Sequence, residues 1–202
     1  VPGGGATTIA RFKLNGNTAA EFADLITTTP GVNSGTHYGS RIVFDNQGFL
    51  YFTNGERGSQ NNAQNLKNSH GKIHRIHDDG RIPADNPFVN TADAIPSIWT
   101  YGNRNPQGMI YDKANNRIWA VEHGPMGGDE LNLIQKGKNY GWPVISYGQE
   151  YGTTQQVGEG TAKAGMEQPV AYWETNDGRA WTGGQKSSIA PSGLAFFTGT
   201  QP

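Results

Sequence analysis

The sequence of 202 residues lacks cysteine altogether, and it is poor in charge and in long apolar runs. Without cysteine there is no thiol catalysis, no disulfide bond and no Cys-ligated zinc. Charged residues make up 16% of the chain, against a usual share of about 25%, and the formal net charge of −1 provides no basic surface for nucleic acid. No apolar stretch approaches the roughly 18–20 residues that span a bilayer. We therefore expect no nucleic-acid partner and no membrane span.

Turn-forming residues are abundant instead, with 29 Gly and 11 Pro. Between them, short runs of alternating apolar and polar residues recur, which is the period of β-strands. Arg41–Phe44 and Phe49–Thr53, for example, flank the turn-forming tetrapeptide 45–48 and predict a hairpin. The one stretch that favours a helix is short, near Ala19–Leu25. Five Trp, eight Tyr and eight Phe supply core material, so we predict an ordered all-β protein.

An internal repeat indicates which β fold this is. Residues 39–45 resemble residues 107–112, and a turn and a second strand follow each copy. Residues 191–197 look like a third copy. A recurring strand pair with long insertions is typical of β-propeller blades of about 40–50 residues, whereas a β-sandwich does not predict the repeat. We predict a single, partial propeller domain over residues 1–202, with about four blades or fewer.

Three loop clusters beside these strands could carry chemistry. His37 lies in a Gly-rich loop and is either a general base near neutral pH or a structural histidine. Arg104 beside Asn105 could hold an anionic or carbonyl-bearing ligand, or simply tie down its own loop. The dipeptide 124–125 (Gly-Pro) followed by 129–130 (Asp-Glu) offers oxygen ligands for Ca²⁺, or forms an ordinary tight turn.

Three histidines lie outside these clusters, at positions 70, 74 and 77. They do not suggest a zinc site, because residues an odd number apart lie on opposite faces of a strand. We expect His74 to be a half-exposed strand residue.

The order of motifs along the chain is more specific than any single cluster. The motifs are HYGSR (37–41), AQNL (63–66), HGKI (70–73), DGRIPADNPF (79–88), RNPQG (104–108), HGP (123–125), GDELN (128–132) and NYGWP (139–143). This run resembles the soluble glucose/sorbosone dehydrogenases that use pyrroloquinoline quinone (PQQ), and among them the bacterial aldose sugar dehydrogenases. The resemblance extends from about residue 37 to residue 151.

The resemblance implies a fold, two cofactors and a set of site residues. The fold is a six-bladed β-propeller, of which this chain would cover roughly the middle four blades and lack the first and last blade regions. PQQ and Ca²⁺ would lie in a cleft on one face. The implied roles are His37 as the general base, Arg104, Asn105 and Tyr151 as PQQ contacts, the backbone carbonyls of Gly124 and Pro125 as ligands of the Ca²⁺ beside PQQ, and Glu130 and Tyr140 as ligands of a second, structural Ca²⁺.

The activity that the resemblance implies is the oxidation of the anomeric hydroxyl of aldose sugars to lactones. PQQ would accept the hydride with assistance from calcium, and an external electron acceptor would reoxidise it. The resemblance also implies a periplasmic or secreted enzyme. Two alternatives stay open: a non-catalytic propeller module that binds carbohydrate or protein, and a propeller lactonase, which would need acidic and Asn calcium ligands on several inner strands.

This chain departs from the family pattern in two respects. Glu56 stands in the loop after the second strand of the hairpin, where the family normally carries Asp. In addition, the glutamine upstream and the Lys and Arg residues downstream that hold the PQQ carboxylates in the family fall outside these 202 residues. We therefore expect the isolated chain to be inactive.

Overall fold

The computed structural model describes residues 3–173, 188–197 and 199–200, and it confirms that the chain is all-β. A single short 3₁₀ turn at Gln60–Gln64 is the only helical element of this part, and it lacks the length and apolar character of a membrane span. The strands are β1 Thr8–Asn15, β2 Thr18–Thr27, β3 Ile42–Phe44, β4 Leu50–Asn54, β5 Lys72–Ile76, β6 Ile98–Tyr101, β7 Pro106–Asp112, β8 Arg117–Glu122, β9 Asp129–Ile134 and β10 Ala171–Trp173.

Two four-stranded antiparallel sheets form the body of the structure, with strand orders β3-β4-β5-β6 and β7-β8-β9-β10. The predicted hairpin is the start of the first sheet, where Val43 pairs with Tyr51. Its turn is stabilised by Asp45, whose Oδ1 accepts hydrogen bonds from the backbone N–H groups of Gln47 at 2.9 Å and Phe49 at 3.0 Å. Each sheet is a simple up-and-down meander, which is the arrangement of a propeller blade.

The repeat predicted from the sequence corresponds to equivalent strands of the two sheets. β3 and β4 are the first two strands of one sheet, β7 and β8 are the first two of the other, and β7 lies against both β3 and β4. The expected third copy does not form a strand, because residues 191–197 have no strand partner within the described part of the chain. The six-blade count and the coverage of about four blades stay predictions.

The expected helix near residues 19–25 is wrong, because this segment lies within β2. The two-residue turn at Gly16 and Asn17 folds β2 back onto β1, and Gly16 adopts the left-handed φ of 60° that the turn requires. Ala23 then pairs with Arg11 in a ten-residue strand. Pairing with a neighbouring strand outweighs the weak helix propensity of a segment this short.

Apolar side chains fill the space on both faces of the first sheet. Tyr51 and Ile73 face the second sheet, and Leu50, Phe52 and Ile76 face the β1–β2 hairpin. All residues of β4 and β5 are therefore buried. His74 is fully buried rather than half-exposed, because its strand is covered on both faces.

Alternate connections of a meander lie at the same end of the sheet. The loop before β3, the β4–β5 loop, the β6–β7 connection and the β8–β9 loop consequently gather at one end of the two sheets. These four connections carry most of the site residues expected from the sequence.

Candidate active site

His37 is paired with a buried carboxylate. Its Nδ1 lies 2.8 Å from Oε1 of Glu56, whose side chain is only 1% exposed. A carboxylate accepts hydrogen bonds, so Nδ1 carries a proton, and in the neutral ring Nε2 has a free lone pair. Nε2 makes no hydrogen bond within the described part of the chain. This is the arrangement of a general base whose tautomer is set by an acidic partner.

The backbone at His37 is left-handed, with φ of 57°. This conformation costs a non-glycine residue about 1–2 kcal/mol, so it persists only where the surroundings hold it. The loop is attached to the end of β4 and to the β6–β7 connection: Ser40 N–H donates to the carbonyl of Thr53 at 3.0 Å, and Gly39 N–H donates to Oδ1 of Asn105 at 3.1 Å.

Arg104 stands across the cleft from this pair and is held at both ends. Its backbone N–H donates to Oε2 of Glu122 at 2.7 Å, and its Nη1 donates to the carbonyl of His123 at 3.1 Å. Nη2 lies 3.4 Å from the hydroxyl of Tyr151. The guanidinium is thus a fixed positive charge, suited to an anionic or developing negative oxygen.

A cleft of about 380 Å³ lies between the His37 loop and Arg104, in the size range of small-molecule sites. The structure brings four of the expected residues onto its walls, namely His37, Arg104, Pro125 and Tyr151. Asn105 is buried behind the wall, where its Oδ1 supports the His37 loop. The remaining lining residues are Thr36, Glu56, Gly58, Gln60, Trp142 and Glu150.

The Gly124–Pro125 turn presents free backbone oxygens. Neither carbonyl accepts a backbone or side-chain hydrogen bond from any residue that the structure describes. Gly124 N–H donates to Oδ1 of the buried Asp129 at 2.9 Å. A Cβ at Gly124 would lie 2.1 Å from the carbonyl oxygen of Gly127, so only glycine fits. Two free carbonyls in a tight turn fit the oxygen preference of Ca²⁺.

A second, smaller cavity of about 10 Å³ adjoins this turn, enough for one ion or water. Glu130, Tyr140, Gly124 and Glu122 are among its lining residues. Glu130 pairs directly with Glu122 across strands β8 and β9. Burial raises the pKa of both carboxyl groups, and the charge of Glu122 raises the pKa of Glu130 further.

The donor set of this cavity favours a hard cation. The hydroxyl of Tyr140 is already engaged, because it donates to the carbonyl of Leu133 at 2.6 Å. The backbone carbonyl of Tyr140 accepts no hydrogen bond within the described residues. No group of three His, Cys, Asp or Glu side chains in that part of the chain is placed to share a metal. A cation here would therefore combine carboxylate with carbonyl oxygens, which suits Ca²⁺ better than zinc.

Three functional contacts were not predicted from the sequence. Glu56 was noted only as a departure from a family pattern, yet it is the partner of His37. No role is predicted for Glu122, which holds the backbone of Arg104. Asp129 is predicted only as an oxygen ligand for Ca²⁺, whereas in the structure it holds the turn at Gly124. The available signal in each case is an acid at or near the end of a strand and next to a glycine-rich loop, since Glu122 ends β8, Asp129 begins β9 and Glu56 lies two residues after β4.

Comparison with known proteins identifies the family of the chain. The sequence profile of the Glucose / Sorbosone dehydrogenase family matches residues 2–202. The chain belongs to this family. Within it, the chain is 43% identical over 178 residues to the aldose sugar dehydrogenase YliI of Escherichia coli, covering 88% of this chain and 45% of that protein.

Two solved structures of the family are similar in fold. The apo form of the soluble aldose sugar dehydrogenase from Escherichia coli superposes with a TM-score of 0.85 and 38% identity, covering 98% of this chain and 54% of that one. The PQQ-bound aldose sugar dehydrogenase from Streptomyces coelicolor gives a TM-score of 0.70 and 28% identity, covering 96% and 50%. This family member therefore spans about half the length of its relatives.

Proposed function

We propose that the full-length protein, meaning a polypeptide that contains this chain and spans the length of its relatives, oxidises aldose sugars at the anomeric carbon. The observation that carries the proposal is the His37–Glu56 pair on the wall of a cleft that also contains Arg104. A base, an acidic partner and a fixed cation around one cavity suit the removal of a proton and a hydride from one alcohol carbon. Membership of a sugar dehydrogenase family supports the choice of substrate.

His37 takes the proton in this reaction. The anomeric hydroxyl loses its proton to Nε2 of His37, the C–H bond at the same carbon breaks as hydride leaves, and the carbon–oxygen double bond of the lactone forms. Glu56 stabilises the resulting imidazolium at 2.8 Å and keeps the ring from turning. The buried setting of Glu56 strengthens this interaction relative to water.

The chain's residues also fit the cofactors that the family resemblance implies. PQQ would supply the hydride acceptor, with Ca²⁺ polarising it and an external electron acceptor regenerating it. Arg104 and Tyr151, which line the cleft, would hold the quinone, and Asn105, a quinone contact by the family resemblance, would support it from behind the wall through the His37 loop. The free carbonyls of Gly124 and Pro125 would hold the adjacent Ca²⁺, and Glu130 with the Tyr140 carbonyl would hold a structural Ca²⁺.

The test is PQQ-dependent dye reduction with an aldose, beside a PQQ titration of each variant of the full-length protein. We expect His37→Ala to lower kcat by at least about 10²-fold, the usual scale for a general base, with little change in PQQ affinity. Arg104→Ala should reduce both rate and PQQ affinity, because its charge lines the cleft in which the cofactor would lie.

Two results would contradict the proposal. Near wild-type turnover in His37→Ala would show that His37 is not the base. No oxidation of any aldose by the wild-type protein with PQQ and Ca²⁺ would favour a propeller module that binds carbohydrate or protein. We expect the 202-residue chain by itself to be inactive in this assay, and we place the full-length enzyme in the periplasm or outside the cell.

A further inference from the structure

Arg57 holds the backbone of His37 through a contact that the reaction itself does not use. The Arg57 side chain is buried, and its Nη1 donates to the backbone carbonyl of His37 at 2.6 Å. Its Nη2 donates to Oγ1 of Thr7 at 2.8 Å. The face of the guanidinium lies 3.6 Å from the ring centroid of Tyr38. One buried cation therefore connects the His37 loop to the segment that leads into β1.

The contact falls on the residue whose backbone is strained. His37 has a φ of 57°, and its carbonyl oxygen is enclosed on a second side by Gly55, where an added Cβ would lie only 2.2 Å away. The peptide plane and the side chain share one Cα, so holding this carbonyl limits the directions in which the Cα–Cβ bond, and with it the imidazole, can point. Releasing the carbonyl would allow the residue to return to an ordinary conformation.

We propose that Arg57 is a positioning residue, which fixes the left-handed backbone of His37 so that Nδ1 meets Glu56 and the ring faces the cleft. This inference rests on the proposed role of His37 as the base. Arg57 lies outside the lining of the cleft and acts only through His37.

An arginine is required for this arrangement. Its planar fork directs two N–H groups at two separate acceptors while its face stacks on an aromatic ring. Lysine keeps the charge, but its single ammonium group cannot reach both oxygens and lie flat on Tyr38. Arg57→Lys therefore keeps the positive charge at this position and removes the two-acceptor, stacked geometry of the guanidinium.

Arg75 provides a matched control. It is also buried, and its guanidinium also lies 3.6 Å from an aromatic centroid, that of Phe49. It binds Asp85 at 2.8 Å between the two sheets, and none of its contacts involves His37. We expect Arg75→Lys to lower the free energy of unfolding, as Arg57→Lys does, and to leave the imidazole of His37 in place.

The experiment compares Arg57→Lys with Arg75→Lys in the full-length protein. We expect Arg57→Lys to lower kcat about 10²-fold, the scale of a misplaced catalytic group, while KM for the aldose and the affinity for PQQ change less than threefold. The second measurement is the imidazole NMR spectrum of the cofactor-free protein, with the His37 signals assigned from His37→Gln. Those signals should shift in Arg57→Lys and stay unchanged in Arg75→Lys.

A milder variant covers the case in which Arg57→Lys folds poorly. Thr7→Val removes the acceptor of Nη2 but leaves the bond to the His37 carbonyl, so we expect a smaller shift of the same NMR signals. The proposal is overturned if the His37 signals and kcat of Arg57→Lys match those of Arg75→Lys, or if Thr7→Val leaves the signals unchanged when Arg57→Lys cannot be isolated. Shifted signals in a protein that oxidises no aldose would uphold the positioning role and refute the proposed function.

Discussion

The carboxylate of Glu56 is the contact whose removal tests the mechanism most directly. Replacing it by glutamine keeps the length of the side chain and an oxygen that accepts from Nδ1 of His37. It removes only the negative charge. We therefore expect Glu56→Gln to bind sugar and PQQ normally and to turn over slowly.

The size of the effect follows from the 2.8 Å contact between Nδ1 of His37 and Oε1 of Glu56. At that distance a unit charge pair is worth about 6 kcal/mol with an effective dielectric constant of about 20. The His37 side chain is 19% exposed, so we halve this value for screening by water. About 3 kcal/mol remains, which corresponds to a loss of about 10²-fold in kcat.

Stability should move in the opposite direction from activity. Glu56 is buried, and its Oε2 has no hydrogen-bond partner within the described residues. Burying a neutral amide costs far less free energy than burying a carboxylate charge, and this saving is larger than the loss of the charge-assisted contact to a neutral imidazole. We expect Glu56→Gln to melt at or above the wild-type temperature in differential scanning calorimetry.

The assay is steady-state dye reduction in the full-length protein, with Glu56→Asp as the control. Aspartate keeps the charge but is one methylene shorter, so its kcat should lie between those of wild type and Glu56→Gln. A kcat for Glu56→Gln within threefold of wild type would refute the reasoning, since the charge would then not stabilise the imidazolium.

Two further predictions concern burial and the calcium turn. Burial lowers the pKa of His74 from 6.5 to about 3. Below pH 6.5 the unfolded chain takes up a proton at His74 that the folded protein does not, so the free energy of unfolding falls by about 1.4 kcal/mol per pH unit as the pH decreases toward 3. His74→Gln should therefore shrink the difference in urea unfolding free energy between pH 6.5 and pH 5 by about 2 kcal/mol, and an unchanged difference would contradict this. Gly124→Ala should lower Ca²⁺ affinity in calorimetry at least about tenfold, because its Cβ would meet the Gly127 carbonyl at 2.1 Å. The control Gly35→Ala, whose Cβ meets nothing within 4 Å, should bind Ca²⁺ as wild type does.

The strands could be predicted wherever the signal is local. The 42–54 hairpin combines alternating residues with a turn at 45–48, and both features lie within a few neighbouring positions. β2 was misread because its sequence has weak helix propensity, and only its pairing with β1 makes it a strand. The third repeat copy shows the converse: residues 191–197 have the pattern of a strand but no partner in the described part of the chain.

By itself the sequence determined the all-β class, the equivalence of two strand pairs and membership of the family, because alternation and motif order are properties of the chain alone. Tertiary structure alone decided which side chains meet. Glu56 reaches His37 because two loops gather at one end of a meander, and Arg57 reaches the His37 carbonyl because the loop before β3 folds back onto β4. His74 is buried because both faces of β5 are covered. Such contacts depend on strand register and on the packing of one sheet against another, and no local pattern of residues encodes either.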